Sequence, residues 1–148
     1  MTDSPSLLNV PSLLDVNVLL ALADPRHIHH ETAHEWFEKA GTFATTPLTE
    51  VGFARLMSHP KVGGETAGTA LELLRQIRAV DGHVFLPDDS SLTDPVFGAG
   101  VILGHQQMTG LHLVNLAARH LMKLVTFDAR LHRSLPDTGR RHVVVIDA

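Results

Sequence analysis

The sequence predicts an α/β domain with a central, mainly parallel sheet of five short strands and helices over both faces. Two observations carry that expectation. Five brief apolar runs of strand character alternate along the chain with longer segments of helical periodicity. The run before Asp15 is short and apolar, and the Leu- and Val-rich run after it has too few polar positions for a solvated helix, so both neighbours look buried. The 148 residues suit one domain, which should bury about 68–70% of the surface its unfolded chain exposes. There is no internal repeat, low-complexity tract or long linker.

Element by element, Ser12–Asp15 is the first strand and passes into helical Val16–Ala23, which Asp24-Pro25 breaks. Ile28–Ala40 is the next helix, with Ala33, Trp36 and Phe37 on one apolar face, and Gly41 ends it. Phe43–Thr45 is a strand, Pro47 opens a helix reaching Met57, and His59 through Gly64 is a loop. Glu65–Val80 is the best amphipathic segment, with Ala70, Leu73, Leu74 and Ile77 at helical spacing. Val84–Leu86 is a strand stopped by Pro87, and Ser91–Leu103, with three Gly or Pro residues, stays ambiguous. Leu111–Leu121 is a helix, Leu124–Phe127 a strand, Ala129–Leu135 a short helix and Val143–Ile146 the last strand.

Composition narrows the function classes. The absence of cysteine rules out disulfides and thiolate metal sites and fits a reducing cytoplasm. The longest apolar stretch, Val18 to Ala23, falls far short of a membrane helix, and the N-terminus lacks a signal-peptide pattern. A soluble, cytoplasmic protein with no membrane partner is expected. A net charge of −4 argues against holding nucleic acid by surface charge alone. Residues 119–148 nevertheless carry a basic set: Arg119, Lys123, Arg130, Arg133, Arg140 and Arg141. Singly, each reads as a solvated side chain; as a group they suit a phosphate backbone.

The acids define the chemistry. Asp15 ends the first strand, Glu50 lies about one turn into the helix after the second, and Asp128 follows Leu124–Phe127. Ligands in open α/β sheets sit at such strand ends. An Asp after a strand is also an ordinary helix cap, and Glu50 alone an ordinary solvated side chain. Three carboxylates brought together would repel unless a cation neutralised them, and oxygen ligands select Mg²⁺ or Mn²⁺.

These residues carry a family resemblance. Leu13-Leu14-Asp15-Val16-Asn17-Val18-Leu19-Leu20-Ala21-Leu22, Thr46-Pro47-Leu48-Thr49-Glu50-Val51-Gly52-Phe53-Ala54-Arg55-Leu56 and Leu124-Val125-Thr126-Phe127-Asp128-Ala129-Arg130-Leu131 resemble the acidic motifs of PIN-domain ribonucleases. More narrowly, they resemble the VapC toxins of bacterial toxin–antitoxin pairs, in the right order from Ser12 onward. The resemblance implies an N-terminal extension over 1–11 and a single PIN-like α/β/α sandwich over 12–148. It further implies a Mg²⁺-dependent cut of RNA, a homodimer, a higher toxin–antitoxin assembly and inhibition by a VapB-like antitoxin. Asp15 and Asp128 would help hold the metal, and Glu50 would assist a ligand or orient the attacking water. Arg55 and Arg130 are candidate RNA contacts, each with a plain surface reading beside it. Asn17 matches the motif but also suits a local backbone hydrogen bond.

One departure weakens the implied activity. The family usually carries an Asp, commonly a direct metal ligand, where this chain has Gly110. Glycine supplies no side-chain oxygen, and His112, two residues along a helix, would point roughly 200° away. Two origins fit Gly110: decay toward a non-catalytic, antitoxin-binding protein, or a substitution that disarmed a toxic nuclease. A competing motif is His30-Glu31-Thr32-Ala33-His34, which fits the zinc-protease pattern His-Glu-x-x-His. Against it stand the charged Glu35 and the lack of a third ligand other than Glu50; its plain reading is a satisfied or exposed histidine pair.

Overall fold

The alternation of strand and helix signals is realised as one wholly parallel sheet. The computed structural model describes residues 10–97 and 104–147. In chain order its elements are β1 (Ser12–Leu14), α1 (Val16–Ala23), α2 (His30–Glu38), β2 (Phe43–Thr45), α3 (Pro47–Met57), α4 (Ala67–Arg78), β3 (His83–Phe85), α5 (Met108–Arg119), β4 (Lys123–Thr126), α6 (Ala129–Ser134), α7 (Asp137–Arg140) and β5 (Val143–Val145). A 3₁₀ turn, His105–Gln107, leads into α5. The strand order is β3-β2-β1-β4-β5. The chain winds outward from β1 to β3, then crosses back to place β4 on the other side of β1. The switch point of the sheet therefore lies between the ends of β1 and β4.

Successive strand residues face opposite ways, and the core divides accordingly. Leu13, Ala44 and Leu124 pack with Leu113, Val114, Leu116 and Ala117 of α5 and with Leu131 of α6. Leu14, Phe43 and Val125 pack instead with Val18 and Leu19 of α1, Phe53 and Met57 of α3 and Ala70 of α4. Two apolar layers on a two-sided sheet make the PIN-like α/β/α sandwich that the sequence predicts. Gly52 lets α3 lie directly against α1, since a Cβ there would come within 2.8 Å of Val16 Cγ2.

Boundaries differ where polar caps decide them. Asp15 and Phe127 lie just past β1 and β4, because Asp15 and Asp128 turn the chain into α1 and α6 as N-caps. The second helix starts at His30 and ends at Glu38, and the fourth spans Ala67–Arg78 with Thr66 as its cap. The fifth begins three residues earlier than its apolar pattern, so Gly110 lies inside its first turn. The helix Asp137–Arg140, one turn after Pro136, is unannounced by periodicity. The part of the ambiguous segment at 98–103, and positions 1–9 of the N-terminal extension, lie outside the described residues.

Candidate functional site

Strand geometry brings Asp15 and Asp128 to the switch point. Asp15 Oδ1 accepts from the Val16 amide at 2.8 Å, and its Oδ2 accepts from the Thr126 hydroxyl at 2.8 Å. Asp128 Oδ1 accepts from the Arg130 and Leu131 amides at 3.0 and 3.1 Å. Both acids are thus caps, but capping occupies only one oxygen of each. Among the described residues no donor to Asp128 Oδ2 is found.

Thr126 links the two. Its fully buried hydroxyl donates to Asp15 and accepts from Asn17 Nδ2 at 3.1 Å and from the Asp128 amide at 3.0 Å. One proton and two lone pairs are all engaged. Asn17, the second residue of α1, also accepts from the Phe127 amide at 3.2 Å. Burial pushes the Asp15 carboxyl above its ordinary value of 3.8; its bonds to Thr126 and Val16 oppose that, and the charge of Asp128 adds to it. A carboxylate that is costly to ionise beside a second acid is what a cation would relieve.

Glu50 has other partners. Its Oε2 accepts from Thr45 Oγ1 at 2.7 Å and is ion-paired with Arg78 Nη1 of α4. Thr45 has only one proton to give, so His83 Nε2, at 2.7 Å, is the donor to its oxygen. Arg78 also lies 4.6 Å over the Phe85 ring. Of the three sequence-predicted acids, Asp15 and Asp128 sit together, while Glu50 belongs to this Arg78–Thr45–His83 network. Among the described residues no group of three or more His, Asp or Glu side chains is placed to hold one metal ion.

Gly110 faces Leu131. A Cβ built there would lie 2.8 Å from Leu131 Cδ2 and 3.0 Å from Cδ1, so the buried leucine of α6 occupies the space beside the glycine. His112 is instead 3.2 Å from Asp88 Oδ1. Arg130 is exposed in the first turn of α6, directly after the Asp128 cap, and Arg55 is exposed on α3. Arg119 and Arg140 of the basic tail pair with Asp94 and Asp137, and Arg130 and Arg133 have no ion pair among the described residues.

The histidine pair of the zinc-protease pattern has a structural task. His30 Nδ1 lies 2.7 Å from the Ala21 carbonyl and His34 Nε2 lies 2.8 Å from that of Leu22. A carbonyl only accepts, so each imidazole donates, closing orphan carbonyls in the last turn of α1. Each ring keeps its second nitrogen, but among the described residues no third His, Asp or Glu stands with the pair to complete a metal site, so the plain reading of a satisfied histidine pair is the one these bonds support.

Sequence reasoning missed the threonines. Thr45 and Thr126 each end a strand, each is fully buried, and each donates to an acid. A hydroxyl at the last position of an otherwise apolar strand was the available signal.

Fold and acid placement together define a PIN-like α/β/α protein with paired carboxylates at its switch point. No protein-family model matches the chain. It is similar to Ribonuclease VapC38 of Mycobacterium tuberculosis, with 48% identity over 122 residues covering 80% of this chain and 85% of the relative. Ribonuclease VapC39 of the same species is 42% identical over 81% of this chain and 90% of its own length. Ribonuclease VapC29, also from that species, is 37% identical over 80% and 86%. The chain belongs to the VapC family of PIN-domain ribonucleases.

Proposed function

We propose that this chain is the toxin of a toxin–antitoxin pair and a Mg²⁺- or Mn²⁺-dependent endoribonuclease cutting RNA phosphodiester bonds. The observation that carries this is the Asp15–Asp128 pair, bridged by Thr126 at the switch point, with an Asp15 carboxyl that burial and a neighbouring charge make costly to ionise. Two carboxylates fit Mg²⁺, which takes one or two such ligands and fills its shell with water and substrate phosphate. When bound, the ion would polarise the scissile phosphate and make the attacking water more acidic.

The chain's own groups do the rest. Asp15 and Asp128 hold the cation, and Thr126 and the Val16 amide fix the orientation of Asp15. Glu50 orients the attacking water, held in place by Thr45 and Arg78. Arg130 and Arg55 meet flanking phosphates. The partner is a VapB-like antitoxin, and the active form is a homodimer within a larger toxin–antitoxin assembly. Exposed Val51 of α3 and Leu71 of α4, 65% and 46% accessible, suit such self-association.

Leu131 packed against Gly110 favours a second reading, in which the fold is kept for antitoxin binding and catalysis is weak. Cleavage of single-stranded RNA, followed with Mg²⁺, with Mn²⁺ and with chelator, separates the two. Metal-dependent cutting that Asp15→Asn abolishes supports the nuclease. Tight antitoxin binding with no cutting at any metal concentration supports the second reading and overturns the first.

A further inference from the structure

The turn between α1 and α2 carries two histidine rings, His27 and His29, that the acid pair does not explain. The His29 imidazole stacks on the Phe127 ring with centroids 4.7 Å apart and planes 21° from parallel. His27 adds a third ring, 5.7 Å from that of His29. His29 is the residue that heads α2, yet it makes no capping bond with its side chain. Its ring is turned onto Phe127 instead. Both stacked residues are only half-buried.

This stack is tied to the acids through the backbone. Phe127 immediately precedes Asp128, and its amide donates to Asn17 Oδ1. Asn17 in turn donates to the Thr126 hydroxyl that holds Asp15. The Phe127 ring packs against the α1–α4 side of the core, so it is a firm backing plate. Ile28, between His27 and His29 in the same turn, is 87% accessible.

We propose that the His29–Phe127 stack seats an unpaired nucleobase of the RNA strand whose phosphate lies at Asp15 and Asp128. This rests on the nuclease reading above and adds a residue that positions substrate. Single-stranded RNA is held largely by stacking its splayed bases on aromatic and histidine rings, a contact tolerant of sequence. A base lying on the outer face of His29 extends an existing ladder of rings. Phe127, the lower ring of the stack, is the chain neighbour of Asp128, which links the seat to the acid pair.

The test uses the full chain and a labelled ten-nucleotide single-stranded RNA, with Ca²⁺ replacing Mg²⁺ so that the strand stays intact. The same RNA is also made with one abasic site, moved position by position. Anisotropy gives the affinities, and thermal melting checks each variant's fold. An abasic site at one position should weaken binding to the unaltered protein by about 5- to 150-fold. His29→Ala should weaken binding of intact RNA similarly and erase that abasic penalty, while His29→Tyr keeps both within about threefold. Phe127→Leu should behave as His29→Ala does, which covers the case in which one variant fails to fold. No abasic penalty in the unaltered protein, or a penalty that survives His29→Ala or Phe127→Leu, overturns the stack. RNA binding that Asp15→Asn weakens and His29→Ala does not would sink the stack alone, leaving the nuclease reading intact. No RNA binding at all sinks both.

Discussion

Thr126 Oγ1 lies 2.8 Å from Asp15 Oδ2 and donates its only proton there, while the Asp128 amide and Asn17 Nδ2 fill its two lone pairs. One buried hydroxyl therefore sets the position of one acid side chain and of the backbone carrying the other. It also opposes the rise in the Asp15 pKa that burial causes. The relation is repeated one strand away from β1, where Thr45 at the end of β2 donates to Glu50 at 2.7 Å.

Replacing Thr126 with valine keeps the shape and removes all three bonds. The Asn17 amide and the Asp128 N–H then lose their acceptor in a half-buried site, which costs about 1–3 kcal/mol. Chemical denaturation should show that loss, and Thr126→Ser should recover most of it. The Asp15 carboxyl should titrate higher in Thr126→Val, as read by carbon-13 NMR, because a bond that favours its ionised form is gone.

The metal-free protein should lose stability as Asp15 ionises. Its folded-state pKa is raised above 3.8, so its contribution is fully present below pH 3.8 and is lost as pH rises through the folded value. Asp128→Asn keeps a capping oxygen for the Arg130 and Leu131 amides and removes the neighbouring charge. The Asp15 midpoint should fall in that variant, and it should fall on adding Mg²⁺ to the unaltered chain. A midpoint indifferent to both changes would mean that the two carboxylates do not share a site.

Asp15 and Asp128 were legible in the sequence because acids at the ends of parallel strands meet wherever the strand order makes those strands neighbours. Glu50 obeyed the same rule as far as its helix, and its partner did not show. Arg78 lies 28 residues further on, and no local periodicity encodes which carboxylate a long side chain will reach. His30 and His34 were visible as a pair, but their acceptors on α1 depend on the packing of two helices. The helix Asp137–Arg140 is too short to carry an apolar period. The longer helices came through because their apolar period repeats, and the strands, three or four residues each, because they are short apolar runs bounded by caps and turn residues.

Gly110→Asp should restore an oxygen ligand and strain the core together. The new Cβ meets Leu131 Cδ2 at 2.8 Å, and Leu131 is 1% exposed, so overpacking should cost about 1–3 kcal/mol. Mn²⁺ affinity measured by calorimetry and the rate of RNA cleavage should both rise. Leu131→Ala, which leaves a cavity in the unaltered chain, should cost less in the Gly110→Asp background, and a double-mutant cycle reads that coupling. If the substitution improves neither metal binding nor cleavage, Gly110 does not stand at the position of the family Asp.

Arg78 should control both the hold on Glu50 and the titration of His83. Burial is the main cause that lowers the His83 pKa below 6.5; the Arg78 charge lowers it further and Glu50 partly opposes this. His83 therefore contributes stability that is present above pH 6.5 and lost as pH falls through its folded value. Arg78→Met removes the cation and leaves an apolar stem to lie on Phe85. The His83 midpoint should move up toward 6.5 in proton NMR, and the loss of a partly exposed ion pair should cost roughly 1 kcal/mol. Glu50, still bonded to Thr45, should keep part of its orientation, so RNA cleavage should fall less in Arg78→Met than in Glu50→Gln. Equal losses would make the ion pair, rather than the Glu50 carboxylate itself, the functional unit.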